Sequence, residues 1–290
     1  MPMSAATSPS DGRANPNGRR DTRLQAIRAV GGLSIASRAD GDITAVDNLH
    51  EYGGYRVKFP AVRAGVLEAV MINTGGGVAG GDRIAITAAA GESSRMSVTT
   101  ATAERLYRSN GPPTTIDVTL RAGPRATLAW LPQSTILFAG SVLHRRLDAD
   151  IAEDARLVVA ETSVFGRTAS SEAMTSGVFA DQWRLYRGGR LVFAEATRLE
   201  GDVAATLARP AVANGKPIHS LLVCVAPNVE GRRDAVRDAL TGSNVLTGVS
   251  AWNGILVARL AGSRLDEVAN ALRAATHALT LLPLPAAWTH

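Results

Sequence analysis

A chain of 290 residues, 46% hydrophobic and 20% charged, can bury a sizeable core in one large domain or two small ones and is not disordered by composition. Its one cysteine, Cys224, excludes an internal disulfide, and five histidines scattered from His50 to His290 form no HxxxH or HExxH pair, so a tight metal site of the protein's own is excluded. The net charge of +5 is carried by arginine (only Lys58 and Lys216 are lysines) interleaved with 26 acids and 4% aromatics, which leaves no basic stripe with stacking rings and excludes a nucleic-acid partner.

Residues 1–22 read as a flexible tail, small, polar and aperiodic, and the one local basic cluster, Arg19, Arg20 and Arg23, lies at its end. Residues 23–290 read as one domain, mainly β over 23–216. No apolar run reaches the roughly eighteen residues of a membrane helix, and the start has no apolar leader core, so no membrane association and a cytoplasmic protein are expected. From Ile43 to about Gly201, short alternating runs are broken by Gly, Pro, Asp and Asn. Val70-Met71-Ile72 and the segment from Arg83 are strand candidates on either side of a glycine run. Ile116, Val118 and Leu120 alternate with polar neighbours as a half-buried strand does. Trp183, Leu185 and Arg187 lead through Gly188-Gly189 into Leu191 and Phe193, a hairpin signal because a primed turn needs positive φ at both positions.

A weak repeat joins Gly91–Val98, Gly123–Trp130 and Glu153–Val159, with Leu191 opening a possible fourth copy, at a spacing of about thirty residues. Two readings stay open: stacked β-layers, or a chance similarity among hairpins. The last part, 217–290, changes to a β-α-β-α pattern carrying two helices. Strand candidates lie at Ser220–Ala226 and Gly254–Leu260, and a charged helix at about Gly231–Leu240. A second helix opens at Ser263 with Asp266 completing a near capping box, and Pro283 ends it. The fold class is α+β, mainly β, in stacked antiparallel layers.

Among motifs, Asn73-Thr-Gly-Gly-Gly-Val-Ala-Gly-Gly-Asp82 is the most prominent, and Gly75, Gly77 and Gly80 fit GxGxxG. A dinucleotide site needs a helix directly after the glycines to hold the pyrophosphate, whereas Arg83-Ile-Ala-Ile-Thr-Ala alternates like a strand. No GK[ST] closes a phosphate loop, and no GxSxG elbow is present. Close-packed glycines between strands point instead to a tight backbone crossing. Cys224 reads as buried and inert, and His219, five residues before it on a strand, faces the opposite side. The carboxylates in unusual surroundings are Asp82, Glu104, Glu161 and Glu172.

Assembled in order over residues 65–290, these segments resemble the urease accessory protein UreD (UreH) family. The glycine run matches NTAGGLxGGD, and Ala103-Glu-Arg-Leu-Tyr-Arg-Ser109 resembles AEKxYRS. Leu131-Pro-Gln-Ser-Thr-Ile-Leu-Phe138 resembles LPQETILF, Gly166–Glu172 resembles GRxAMGE, and Leu282–Trp288 resembles the closing LPRxW. Departures are Ser134 for the glutamate of LPQE, Ser170-Ser171 before Glu172, and Gly75 for alanine. The resemblance implies a UreD-like fold, β-helical in form, and no enzyme activity. It further implies a chaperone scaffold that binds apo-urease and UreF, which docks the GTPase UreG, for GTP-dependent nickel insertion. It also implies transient Ni²⁺ in an internal tunnel, with no tightly bound cofactor. Asp82 and Glu172 are the expected weak nickel-transit carboxylates, and Arg105, Tyr107 and Arg167 are expected to order the loops around them. Two alternatives remain: a nucleotide-dependent oxidoreductase using Gly75–Gly81, and a protein-binding module without metal transit.

Overall fold

The computed structural model describes residues 28–60, 64–167, 170 and 172–289; the tail expected at 1–22 lies outside the described residues. Strands begin at β1 (Val30–Asp40), earlier than the alternation suggests, and continue through β2 (Ile43–Tyr52), β3 (Tyr55–Lys58) and β4 (Leu67–Asn73). The chain then winds in coils. β5 (Arg83–Ala90), β8 (Thr114–Ala122), β11 (Val142–Ile151) and β14 (Val178–Arg187) stack beside β1 in a first sheet, all mutually parallel. β6 (Arg95–Thr100), β9 (Thr127–Trp130) and β12 (Arg156–Arg167) stack on β4 in a second sheet, again parallel.

The stacked layers are therefore present, but the antiparallel direction expected for them is corrected. Each coil passes once through each sheet, so the same segment of the next coil returns pointing the same way. Antiparallel pairing is kept for the ends. β2 closes one edge of the first sheet, and β15 (Arg190–Glu200) closes the other. The weak repeat is the coil itself, with Arg95 facing Thr127 and Thr127 facing Arg156 in register. The fourth copy at Leu191 is not one: Leu191 lies on β15, which turns back along β14 through Gly188 and Gly189 (φ 54° and 75°), the expected hairpin.

Register explains the core. Leu33, Ile86, Val118, Leu147 and Trp183 stand one above another on the inner face of the first sheet. They meet Ala69, Val98, Trp130 and Val159 of the second, all buried. Burying each aliphatic of such a stack contributes about 1.5–3 kcal/mol.

The outer face of the second sheet is apolar as well, and the C-terminal part covers it. After α1 (Val203–Ala208), capped by Asp202 Oδ1 accepting from Ala205 N at 2.8 Å, come β16 (Ile218–Val225) and α2 (Arg233–Leu240). β17 (Leu246–Trp252), β18 (Ile255–Gly262) and α3 (Leu265–Ala278) complete the fold. β16 pairs with β12, so this part extends the second sheet. α1 and β17 are additions to the pattern expected from sequence. α3 is not capped by Ser263: Arg264 is its N-cap without a side-chain bond, and Ser263 Oγ instead faces Lys216 Nζ at 3.4 Å. Cys224 is buried in this outer layer, where desolvation pushes its thiol up to about 12, while His219 faces the cavity on the other side of β16. Among the described residues, no helix is long and apolar enough to cross a membrane.

Candidate functional site

Between the two sheets a third, short face is built from the motif segments. Val78 pairs with Leu106 of β7 (Glu104–Leu106), Leu106 with Leu137 of β10 (Thr135–Leu137), and Leu137 with Phe165 of β12. The glycine run enters this face edge-on. A Cβ on Gly80 would lie 2.8 Å from the Ser109 Cα, and one on Gly77 (φ 143°) 2.8 Å from the Arg105 carbonyl oxygen. The run is thus a backbone crossing, and a strand, β5, follows it. It lacks the helix N-terminus a dinucleotide pyrophosphate sits on, which removes the observation the oxidoreductase alternative required.

Asp82 ends the crossing with both carboxylate oxygens engaged: Ala29 N donates to Oδ1 at 2.9 Å and Ala79 N to Oδ2 at 2.8 Å. Beside it lies Glu104, which accepts from Asn73 Nδ2 at 3.0 Å and from Tyr55 Oη at 3.2 Å. Burial raises the Glu104 carboxyl above its ordinary range despite these donors. It also raises the Tyr55 phenol, with the Glu104 and Asp82 charges adding to the effect.

Glu172, on β13 (Glu172–Ala173), sits at the far end of the same face. Ala139 N donates to its Oε1 at 3.0 Å and Arg167 Nε to its Oε2 at 2.6 Å. The first of these bonds, then the guanidinium, hold its carboxyl below the usual range. Arg167 in turn lies over the Phe138 ring, 4.9 Å from its centroid, and Phe138 meets the Tyr107 ring edge-on at 5.2 Å. Tyr107 Oη donates to the Gly76 carbonyl at 3.0 Å. Arg167 and Tyr107 therefore do brace the loops, whereas Arg105 is exposed.

The two glutamates predict opposite pH behaviour. The folded-state pKa of Glu104 is raised, so its contribution is full below 4.5 and is lost as pH rises through the folded value. For Glu172 it is lowered, so its contribution is present above 4.5 and is lost as pH falls. Thermal unfolding should show wild type losing ground to Glu104→Gln from acid to neutral pH, and gaining on Glu172→Gln over the same interval.

The interior holds a second polar assembly. On the first sheet Ile84, Ile116, Arg145 and Asp181 share one inward column, so two charges stand where the lower coils place isoleucine. Arg145 Nε and Nη2 donate to Asp181 at 2.9 and 2.7 Å, and Nη1 pairs with Glu161 of the facing sheet. Trp130 Nε1 closes on Glu161 at 2.8 Å and Trp183 Nε1 on Asp181 at 3.2 Å. Burial, ahead of the neighbouring charges, pushes the Glu161 carboxyl up. This cluster walls a cavity of about 400 Å³ that also takes in Glu195, Arg259 and His219. Neither Asp82 nor Glu172 lines it. His219 Nε2 meets the Lys216 carbonyl at 2.9 Å and its ring stands edge-on to Phe165, with burial lowering its pKa. Of these residues only Glu161 stands out in the sequence as a carboxylate in unusual surroundings. Arg145 and Asp181 carried a signal, since each falls on the apolar phase of its strand, between Leu143 and Leu147 and between Phe179 and Trp183.

Comparison with known proteins adds the decisive observation. Residues 29–289 match the family model described as UreD urease accessory protein. The chain belongs to the UreD family. It is 42% identical over 276 residues to urease accessory protein UreD 1 of Bradyrhizobium sp. (strain ORS 278), covering 95% of this chain and 99% of that protein. It is 46% identical over 281 residues to UreD of Methylobacterium sp. (strain 4-46), covering 94% and 97%. With UreD of Rhodopseudomonas palustris (strain BisA53) it shares 48% over 235 residues, covering 81% and 82%. Membership in UreD gives the chain a role in urease maturation.

The UreD motifs gain physical meaning from the fold. NTGGG and AERLYRS meet in the crossing, and GRTASSE supplies the Arg167–Glu172 pair. The closing LPLPAAW straps the outer layer: Trp288 Nε1 donates to Leu131 O at 3.0 Å, Gln133 Nε2 to Ala287 O at 2.8 Å, and Ala286 N to buried Glu68 at 3.0 Å. Ser134, the departure from the UreD pattern, serves β7 through its backbone, its carbonyl accepting from Glu104 N at 2.9 Å. Its side chain borders a smaller cavity of about 320 Å³ beside Arg273 and Trp288.

Proposed function

We propose that this chain is a non-catalytic scaffold that binds apo-urease and a helical UreF partner, through which the GTPase UreG docks, for GTP-dependent nickel insertion in the cytoplasm. Nickel is cargo, passed on and not kept. One observation carries the cargo reading: three carboxylates, Glu161, Asp181 and Glu195, line one cavity with two guanidinium groups, Arg145 and Arg259, which leaves the carboxylates in excess. Oxygen ligands bind a borderline metal weakly enough to release it, and the paired arginines lower the net charge that would otherwise hold it. A cavity lined by guanidinium-bound carboxylates is suited to brief occupancy.

Asp82 and Glu172 remain the second placement for the passage, favoured by their position in the family motifs; their oxygens, like those of Glu161 and Asp181, already accept hydrogen bonds, but they do not line the cavity. Reconstitution with UreF, UreG, GTP, nickel and apo-urease separates the two. In an Arg145→Met background, where no unpaired charge stays buried, Glu161→Gln with Asp181→Asn is expected to lower the nickel counted in urease several-fold while the complex still co-purifies. Asp82→Asn with Glu172→Gln should leave loading near wild type. The reverse pattern would move the passage to the motif face. Full loading by both variants would leave a protein-binding module without metal transit.

A further inference from the structure

Some exposed arginines on this protein are paired with a neighbouring acid, among them Arg38 with Asp40, Arg125 with Glu92, Arg198 with Glu200 and Arg264 with Asp266, while others, such as Arg83, Arg121, Arg156 and Arg184, make no ion pair among the described residues. On the motif face unpaired arginines stand beside the packed rings of Tyr107 and Phe138. Arg105 and Arg108 are exposed, and neither makes an ion pair among the described residues. Arg167 beside them is half-exposed at 47% and shares the acid at this end of the face, Glu172, whose oxygens are already engaged. A surface that repeats unneutralised guanidinium groups carries an electrostatic cost in the free protein that an anionic partner would remove.

Of these arginines, Arg108 and Arg167 have their side chains held in place, and Arg105 has its backbone held. Arg105 and Arg108 flank Tyr107 at the end of β7, whose neighbours Val78 and β10 fix its backbone. Arg108 runs close over Gly140, where a Cβ would lie 3.0 Å from its Nε and 3.1 Å from its Cγ. Arg105 packs against Gly77, where a Cβ would lie 3.2 Å from its own Cβ. Arg167 is fixed over Phe138, and Tyr107 is tied at its hydroxyl. Side chains already ordered lose little freedom on binding, and arginine and tyrosine on a rigid base are the residues that dominate protein interfaces.

We propose that Arg105, Arg108 and Arg167, with Tyr107 at their centre, dock an acidic segment of a protein partner. The fork of each guanidinium matches a carboxylate, and the patch is short, matching a few side chains. A nucleic acid fits less well: the Phe138 ring is covered by Arg167 and met edge-on by Tyr107, so its face is not free to stack a base. The inference does not depend on nickel passage and would stand if that reading failed.

Fluorescence anisotropy with a labelled oligoglutamate peptide and the full chain tests it. Binding is expected, weakening as salt is added, and Arg105→Ala with Arg108→Ala should weaken it at least ten-fold. Arg105→Lys with Arg108→Lys should recover part of the loss. A control pair, Arg38→Ala with Arg198→Ala, should leave it unchanged, and thermal unfolding should confirm that each variant folds. Absence of binding by the wild type, or equal binding by the double alanine variant, would overturn the proposal. So would tighter binding of a single-stranded oligonucleotide of equal charge, which would reassign the patch to nucleic acid.

Discussion

Replacing Arg145 with methionine should lower stability by about 3–5 kcal/mol, the cost of leaving buried charges without their partner. Arg145 binds Asp181 through two nitrogens and Glu161 through a third, and all three residues lie between the sheets. Methionine fills much of the stem volume, so the loss reports charge and not a void. The effect has a pH signature. Burial already raises the Glu161 carboxyl above 4.5, and removing the guanidinium raises it further. A raised carboxyl favours the folded state below its unfolded value and loses that contribution as pH rises through the folded one. The deficit of Arg145→Met should therefore be smallest in acid and grow toward neutral pH. Adding Glu161→Gln and Asp181→Asn should restore much of the loss at neutral pH, because no unpaired charge then remains buried. Denaturant midpoints across the pH range measure all of this; an Arg145→Met deficit that stays constant with pH would show that packing, not charge, is at stake.

Trp288→Ala carries the second large effect, again about 3–5 kcal/mol for a buried aromatic truncated to alanine. Trp288 is 6% exposed, packs in the layer under α3, and satisfies the Leu131 carbonyl. Its loss would loosen the strap at its anchor, and with it the Gln133–Ala287 and Glu68–Ala286 contacts. Trp288→Phe separates the contributions: a smaller aromatic ring stays and the N–H is lost, and because Thr99 Oγ1 still donates to the Leu131 carbonyl at 2.7 Å, only about 0.5–1.5 kcal/mol is expected for the missing hydrogen bond. Thermal unfolding of the two variants, with hydrogen exchange along α3 and β16, would show whether the outer layer opens before the coils do.

Local patterns were legible where a structural rule acts over a few residues. The Gly188-Gly189 hairpin, the strand after Asp82 and the buried Cys224 each follow from alternation or turn chemistry alone. The coil repeat was visible but not its direction, because parallel and antiparallel stacks bury the same alternating residues. Ser263 does not cap α3 because it lies one residue before the N-cap, where its hydroxyl faces Lys216. Asp82 and Glu172 stood out as carboxylates among small residues. Which backbone amides fill their oxygens depends on Ala29, Ala79 and Ala139, distant or unremarkable in sequence.

By itself the sequence determined a mainly β chain, a glycine crossing in place of a cofactor loop, and motifs specific enough to name the family. Only the tertiary structure decided where its charges act. Arg145 and Glu161 face each other from opposite sheets and Asp181 joins them from the next coil, while Arg105, Arg108 and Arg167 meet only where β7, β10 and β12 stack. Strand order sets such neighbours, and strand order comes from burying whole faces at once, a sum over the chain that no local window contains.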